Sequence, residues 1–254
     1  MGTRFELAIV TNEPATVDVG AVGESALREI EDWHRRLTRF EPDSWLCHIN
    51  RTAAQNPIQL DDETFPLFAD AVDVWRDSDG AFDITRGDGA ALALDRDART
   101  LRFLHDRVSL DTGAIGKGHA LDCAAACLRS HSLTRALLQG GTSSGVALGS
   151  PPDARTWRIG VATEERATDL DHVMDLVDEA FSVSDEASQP NAPFGRHILD
   201  PRLAANAAPA HAARRVVVTG PSARLADAWS TALAVLGQVP STFPAGYRAR
   251  FLTK

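Results

Sequence analysis

Leu110–Asp122 reads LDTGAIGKGHALD, and this stretch sets how the rest of the chain is read. A strand-like run, Arg107–Leu110, enters it. Asp111-Thr112-Gly113-Ala114-Ile115 and then Gly116-Lys117-Gly118 follow. An alanine-rich segment leaves it, with Ala120, Leu121, Ala124, Cys127 and Leu128 at helical spacing. Strand, glycine turn and helix in that order can aim backbone N–H groups at an anion while a lysine neutralises it. The spacing is neither GxxxxGK[ST] nor GxGxxG. Gly116-Lys117-Gly118 is therefore either a phosphate cradle or a tight turn carrying an exposed lysine.

Upstream of this stretch, Thr3–Thr11 alternates in part and predicts a strand. Ala26, Leu27, Ile30, Trp33 and Leu37 predict a helix over Glu24–Thr38, and Phe65, Phe68, Val72 and Trp75 one over Thr64–Ser78. Between them Phe40-Glu41-Pro42-Asp43-Ser44 breaks the chain, with Asp43 or Ser44 placed to cap a short helix over Trp45–Asn50. Gln59–Asp62 reads as a connection and Arg86–Ala98 as irregular. Leu101–Leu104 and Arg107–Leu110 are expected to pair as a hairpin. Downstream, strands are expected at Arg135–Leu138, Trp157–Ala162, Ala180–Ser184, Arg196–Leu199 and Arg215–Thr219. Gly140-Gly141 ends the first of these. Strands and helices mix without a regular βαβ rhythm, which favours an α+β fold over a doubly wound sheet.

A helix over Ala223–Leu236, stopped by Gly237, is the second informative element. Leu225, Ala228, Trp229, Ala232, Leu233 and Leu236 form its stripe, and Ala226, Ala234 and Val235 carry apolar character around most of the rest. A helix apolar nearly all round is usually buried. Asp227, Ser230 and Thr231 then stand out, at i, i+3 and i+4 on one face. A buried carboxylate needs a partner or a cation, and hard oxygen donors of this kind suit Mg²⁺ with phosphate oxygens and water. The alternative is a solvated face. If the fold brings Asp227 to Lys117, a lysine and a carboxylate-bound cation share one diphosphate.

Composition narrows the function. Net charge is -9, which disfavours non-specific nucleic-acid binding. No apolar run reaches the roughly 18 residues that span a bilayer, and the start lacks a basic and apolar leader. The expectation is a cytoplasmic chain, or a periplasmic one if a leader has been trimmed. Cys47, Cys123 and Cys127 form no CxxC or zinc pattern and read as reduced thiols. Asp83 in GAFDIT and Asp111 in SLDTG sit where a strand meets a turn, so each is turn chemistry or a site residue. His197, before Ile198-Leu199-Asp200-Pro201, is structural or an acid/base. Thr142-Ser143-Ser144 reads as a polar loop in preference to an anion cradle. Ser44 has neither a GxSxG setting nor a His/Asp partner, which excludes a serine hydrolase.

Taken together, these segments resemble the FAD:protein FMN transferases, the ApbE-like flavin transferases. Met1-Gly2-Thr3 is similar to the family's opening MGT, and Phe40-Glu41-Pro42-Asp43-Ser44 with Asn50 to its Y-x-P-D-S…N segment. Gly80–Thr85 matches G-x-F-D-x-T, and Asp111–Asp122 matches D-x-G-x-I-x-K-G-x-x-x-D. Gly140-Gly141 matches its glycine pair, His197–Pro201 resembles H-I-I-D-P, and Ala226–Leu233 resembles A-D-A-L-x-T-A-L. The matches run in family order over nearly the whole chain. Thr142 stands where the family usually has Asp, and Arg202-Leu203-Ala204 and Ser184–Ser188 depart from its D-P-x-T-G and S-x-G-x-Y patterns.

The resemblance implies one ApbE-like, T-fold-related α+β domain over residues 1–254, of mixed sheets with packed helices and at most two intertwined lobes. It implies FAD as substrate and Mg²⁺ as cofactor. The FAD diphosphate is cleaved, FMN passes to a Thr or Ser hydroxyl of an acceptor flavoprotein, and AMP leaves. The alternative is a member that binds or hydrolyses FAD without transfer. Carried over by position, Met1, Phe40, Ala81, Phe82, Asp83, Asp111, Lys117 and Leu199 contact FAD. Asp227, Ser230, Thr231 and the Ala114 carbonyl hold magnesium, and Lys117 and His197 are the catalytic candidates.

Overall fold

The computed structural model describes residues 3–11, 17–162, 170–185, 198–203 and 215–252. In chain order its elements are β1 (Phe5–Ile9), α1 (Val19–Leu37), α2 (Trp45–Thr52), β2 (Ile58–Gln59), α3 (Phe65–Asp77), β3 (Leu92–Asp95), β4 (Thr100–Phe103) and α4 (Gly116–Ser130). Then come β5 (Ala136–Gly140), β6 (Ser144–Leu148), β7 (Trp157–Ala162), β8 (Leu170–Leu176), β9 (Glu179–Ser184), β10 (Arg215–Gly220), α5 (Ala223–Leu236) and β11 (Arg248–Leu252). This is an α+β fold.

Six strands form an antiparallel sheet in the order β1-β5-β6-β9-β10-β11. Because successive strand residues point to opposite faces, each strand serves two layers. Val216 and Val218 of β10 join Ala136, Leu138, Val146 and Leu148 under the helices. Val217 faces the other way, with Ala147 and Phe181, and meets Ile159, Val161, Met174 and Leu176 of the β7–β8 hairpin. The sheet is thus covered by helices on one side and by a hairpin on the other. Both layers exclude water, so β6 is buried along its whole length.

Local signals fix the helix ends. Asp18 caps α1 through Oδ1, which accepts the Ala21 N–H at 3.1 Å, so the helix begins at Val19, before the first large apolar residue. Ser44 caps α2, its Oγ accepting the Cys47 N–H at 3.1 Å. Ser222 caps α5, and Gly237 closes it in the left-handed region at φ 68°, donating its N–H to the Leu233 carbonyl.

The expected hairpin of Leu101–Leu104 with Arg107–Leu110 is not present. β4 pairs with β3, inside the stretch read as irregular. The turn between them is built by Asp95, whose Oδ1 accepts the N–H groups of Asp97 and Ala98, and by Arg99 at φ 54°. Arg107–Leu110 is not a strand. One amide side chain replaces a neighbouring strand there: Asn50 Oδ1 accepts the Leu110 N–H at 2.8 Å and its Nδ2 donates to the Leu110 carbonyl at 3.1 Å. Strands β2, β3, β6, β8 and β11 were not expected. Of Arg196–Leu199, the described part, Ile198 and Leu199, is not strand.

Candidate active site

The turn Asp111–Ile115 delivers the chain into α4, whose first residues lie against α5. Helix α4 starts without a side-chain cap, so its early N–H groups need acceptors from elsewhere. Asp227 supplies one: its Oδ2 accepts the Gly118 N–H at 3.1 Å. A side chain at 118 is excluded by the closeness of α5, since a Cβ there would sit 2.2 Å from the Ala223 carbonyl oxygen. That approach brings Lys117 Nζ to 3.6 Å from Asp227 Oδ1 and lets it donate to Ser143 Oγ at 3.0 Å. The Lys117 side chain keeps 19% of its exposure and the Asp227 side chain 6%, so the carboxylate is buried while the ammonium retains a little access to solvent.

Asp227 is buried, which removes the solvated-face alternative. Its neighbours are hydroxyls. Ser182 Oγ donates to Asp227 Oδ1 at 3.0 Å. Ser230 Oγ lies 3.2 Å from Ser182 Oγ and 2.8 Å from Ser184 Oγ, and Ser184 is 3.3 Å from Thr231 Oγ1. Ser230 and Thr231 also bond back to the Asp227 carbonyl. The origin is simple: Ser182 and Ser184 are two apart on β9 and face α5 together, and Ser144 stands opposite Ser182 in the ladder. One carboxylate ringed by hydroxyl oxygens is a hard donor set. It suits a magnesium ion that keeps phosphate oxygens and water in its shell, and does not suit a soft metal. Among the described residues no cluster of three or more His, Cys, Asp or Glu side chains gathers.

A second group of expected residues surrounds the entry to the turn. Asp111 N–H donates to the Ile84 carbonyl at 2.7 Å, which joins the GAFDIT segment to the central stretch. The Asp111 carboxylate accepts the Gly113 N–H at 3.0 Å and faces Arg39 at 3.3 Å and Arg86 at 3.8 Å. Arg39 lies over the Phe40 ring at 4.8 Å, and that ring is 66% exposed. Asp83 gathers its loop: Oδ1 accepts from Thr85 N and Oγ1, and Oδ2 from the N–H groups of Gly87 and Gly89. Ala81 and Phe82 point into the core, so only their backbone can meet a ligand. Beside them is a cavity of about 450 Å³ lined by Trp75, Gly80, Asp83, Asp88, Pro201 and Arg202. Arg202 is fixed there by two hydrogen bonds to its own Asp200, whose carboxyl they hold below the usual carboxylate range.

The structure therefore brings Lys117, Asp227, Ser230 and Thr231 together. Ala114 lies half-buried in the turn just before them. Asp111, Phe40 and Asp83 form an adjoining group, and Leu199 lies half-buried next to Asp200. Met1 and His197 fall outside the described residues. The hydroxyls of Ser182 and Ser184 escaped the sequence reading. The polar-loop reading of Thr142-Ser143-Ser144 misses the Lys117 contact. The i, i+2 spacing of Ser182 and Ser184 was the available signal, but it points to a site only once α5 is known to cover β9.

The chain resembles several known proteins. It is 23% identical to the FAD:protein FMN transferase of Klebsiella pneumoniae (strain 342), across 93% of this chain and 77% of the relative. The structure superposes on the flavin transferase ApbE from Vibrio cholerae with a TM-score of 0.76 at 20% identity, covering 93% of this chain and 84% of the other. On the ApbE protein from Thermotoga maritima the TM-score is 0.79 at 22% identity, with 93% and 84% covered. At these identities the superpositions speak for the fold alone. The family assignment rests on sequence: the profile of the ApbE family matches residues 1–93 and 88–242, nearly the whole chain, and the protein belongs to the ApbE family.

Proposed function

We propose that this protein is a magnesium-dependent FAD:protein FMN transferase. The reading is carried by one observation: Lys117 and Asp227, far apart in sequence, lie 3.6 Å apart beside a ring of hydroxyls. Family membership and the Klebsiella relative's name support it. In this reading Asp227, Thr231, Ser230 and the Ala114 carbonyl would hold Mg²⁺, which when bound would supply positive charge toward the diphosphate and the departing AMP. Lys117 Nζ binds a diphosphate oxygen and leaves its bond to Ser143 to do so. Phe40 offers its exposed ring for stacking on a flavin or adenine. Asp83 and Asp111 hold the walls on which the dinucleotide lies, and Leu199 borders them.

The chemistry is a displacement at phosphorus. A Thr or Ser hydroxyl of an acceptor flavoprotein attacks the FMN-side phosphorus, the bridging P–O bond breaks, and AMP leaves. Placement and charge neutralisation supply most of the rate. The hydroxyl proton passes to a base, for which His197 and a carboxylate of the site are the two candidates. Incubation with FAD, Mg²⁺ and a peptide carrying an acceptor Thr tests the reading. Covalent flavin on the peptide with stoichiometric AMP supports it. FMN and AMP without modified peptide point to a hydrolase, and tight FAD binding without cleavage points to a flavin carrier. Absence of FAD binding refutes the whole reading.

A further inference from the structure

Asp122 lies one helical turn beyond Gly118 on α4, and Asp227 lies one turn beyond Ala223 on α5. The two pairs interlock. Asp227 Oδ2 accepts the Gly118 N–H, as described above. In return, Asp122 Oδ1 accepts the Ala223 N–H at 2.8 Å, and its Oδ2 accepts the Arg224 N–H at 3.0 Å and the Ser222 hydroxyl at 2.6 Å. Each helix therefore lends a carboxylate to the uncapped N–H groups at the start of the other. The equal one-turn spacing on both helices fixes their register at two points. A further tie flanks them: Arg224 Nε donates to Asp70 at 2.6 Å, and its NH1 reaches His119 Nδ1 at 3.2 Å.

We propose that Asp122 is a positioning residue of the site: it holds the start of α5 so that Asp227 and Thr231 face Lys117. It touches neither Lys117 nor the hydroxyl ring, and it acts through α5. The link to metal and flavin rests on the transferase reading, but the link from Asp122 to Asp227 does not. Without the Asp122 carboxylate, the first turn of α5 loses three hydrogen-bond contacts, and Asp227 loses the anchor one turn away that sets its depth. Water can satisfy the freed N–H groups of α5 but cannot restore the register.

The test reads the Gly118 amide, whose hydrogen bond reports Asp227 directly and needs no ligand. Hydrogen exchange is followed by NMR in wild type, Asp122→Ala and Asp122→Asn, well below their melting temperatures. In Asp122→Ala the Gly118 amide should exchange at least about tenfold faster while the amides of Ala124, Ala125 and Leu128 keep their rates. Asn retains one acceptor oxygen and should recover a large part of the protection. In parallel, FAD-dependent Mg²⁺ affinity should fall about 10- to 100-fold in the alanine variant, as for other groups that orient metal ligands. Unchanged Gly118 exchange overturns the proposal, and so does a uniform acceleration along α4, which marks plain destabilisation. If Asp122→Ala does not fold, Asp122→Asn, which removes the charge and one of the two acceptor oxygens, is held to the same Gly118 criterion. A wild type that binds neither FAD nor Mg²⁺ refutes the transferase reading and leaves the Gly118 result to decide on Asp122.

Discussion

Replacing Asp227 by alanine removes three things at once, and the structure says what each is worth. The Gly118 N–H loses its acceptor in a buried place, which costs about 1–3 kcal/mol. Ser182 also loses an acceptor, but Ser144 lies 3.3 Å away and Ser230 3.2 Å away, so its hydroxyl turns to them at little cost. Lys117 loses its counter-charge, yet it keeps Ser143 and partial access to water, so this adds at most about 1 kcal/mol. The expected destabilisation is about 1–4 kcal/mol. Asp227→Asn keeps an oxygen for Gly118 and should lose only about 1 kcal/mol. Both variants lack the charged ligand, so both should lose FAD cleavage at least about a hundredfold and show no response to added Mg²⁺. Urea unfolding gives the first pair of numbers, and AMP release with a magnesium titration gives the second. Stability that separates the two variants while activity does not is the expected pattern. An Asp227→Asn protein with near wild-type turnover and an unchanged magnesium requirement refutes the assignment.

Two further outcomes follow from the α4–α5 contact. In Gly118→Ala the new methyl meets the Ala223 carbonyl and the Arg224 nitrogen, backbone atoms that move only if α5 moves, so stability should fall by about 1–3 kcal/mol and cleavage with it. An unchanged urea midpoint together with wild-type cleavage contradicts that contact. His119 is buried against Trp33, with Arg224 and Arg36 nearby, and burial first, then those two cations, pushes its ring down to about 3 from 6.5. The native ring stays neutral while the unfolded ring takes a proton below about pH 6.5. Its contribution to stability is therefore full above that value and is lost as pH falls toward 3, at about 1.4 kcal/mol per pH unit. Between about pH 7 and pH 4.5 wild type should lose about 2–3 kcal/mol more than His119→Gln; parallel profiles would show that the ring titrates normally.

The legible and illegible parts of this protein divide along a physical line. Helix α5 was read to the residue because its apolar stripe and its Gly237 stop agree with one another. Asp227 was legible as a buried polar side chain on an otherwise apolar helix. Lys117 drew attention because glycines flank it, and the structure sets its ammonium 3.6 Å from the Asp227 carboxylate. What failed was structure held by distant partners. Leu110 has its backbone satisfied by Asn50 and by no neighbouring strand, and no local pattern records that. Strand β3 was hidden because Leu-Ala-Leu-Asp has weak strand preference and acquires its state from β4. Ser182 and Ser143 look ordinary in sequence; they join the site only through the pairing of β6 with β9 and the helix laid across them. Asp122 sat inside the quoted motif with no role, since its partners begin about a hundred residues later.

In the proposed function Lys117 and Asp227 act on one diphosphate, and FAD compared with riboflavin tests this most directly, because riboflavin carries the ring system without the phosphates. Each ligand is titrated calorimetrically into wild type and Lys117→Met in the presence of Mg²⁺. Loss of one ion contact should weaken FAD binding at least about tenfold, or roughly 1.4 kcal/mol, and leave riboflavin affinity unchanged. Equal losses for both ligands, or no loss for FAD, contradict the account.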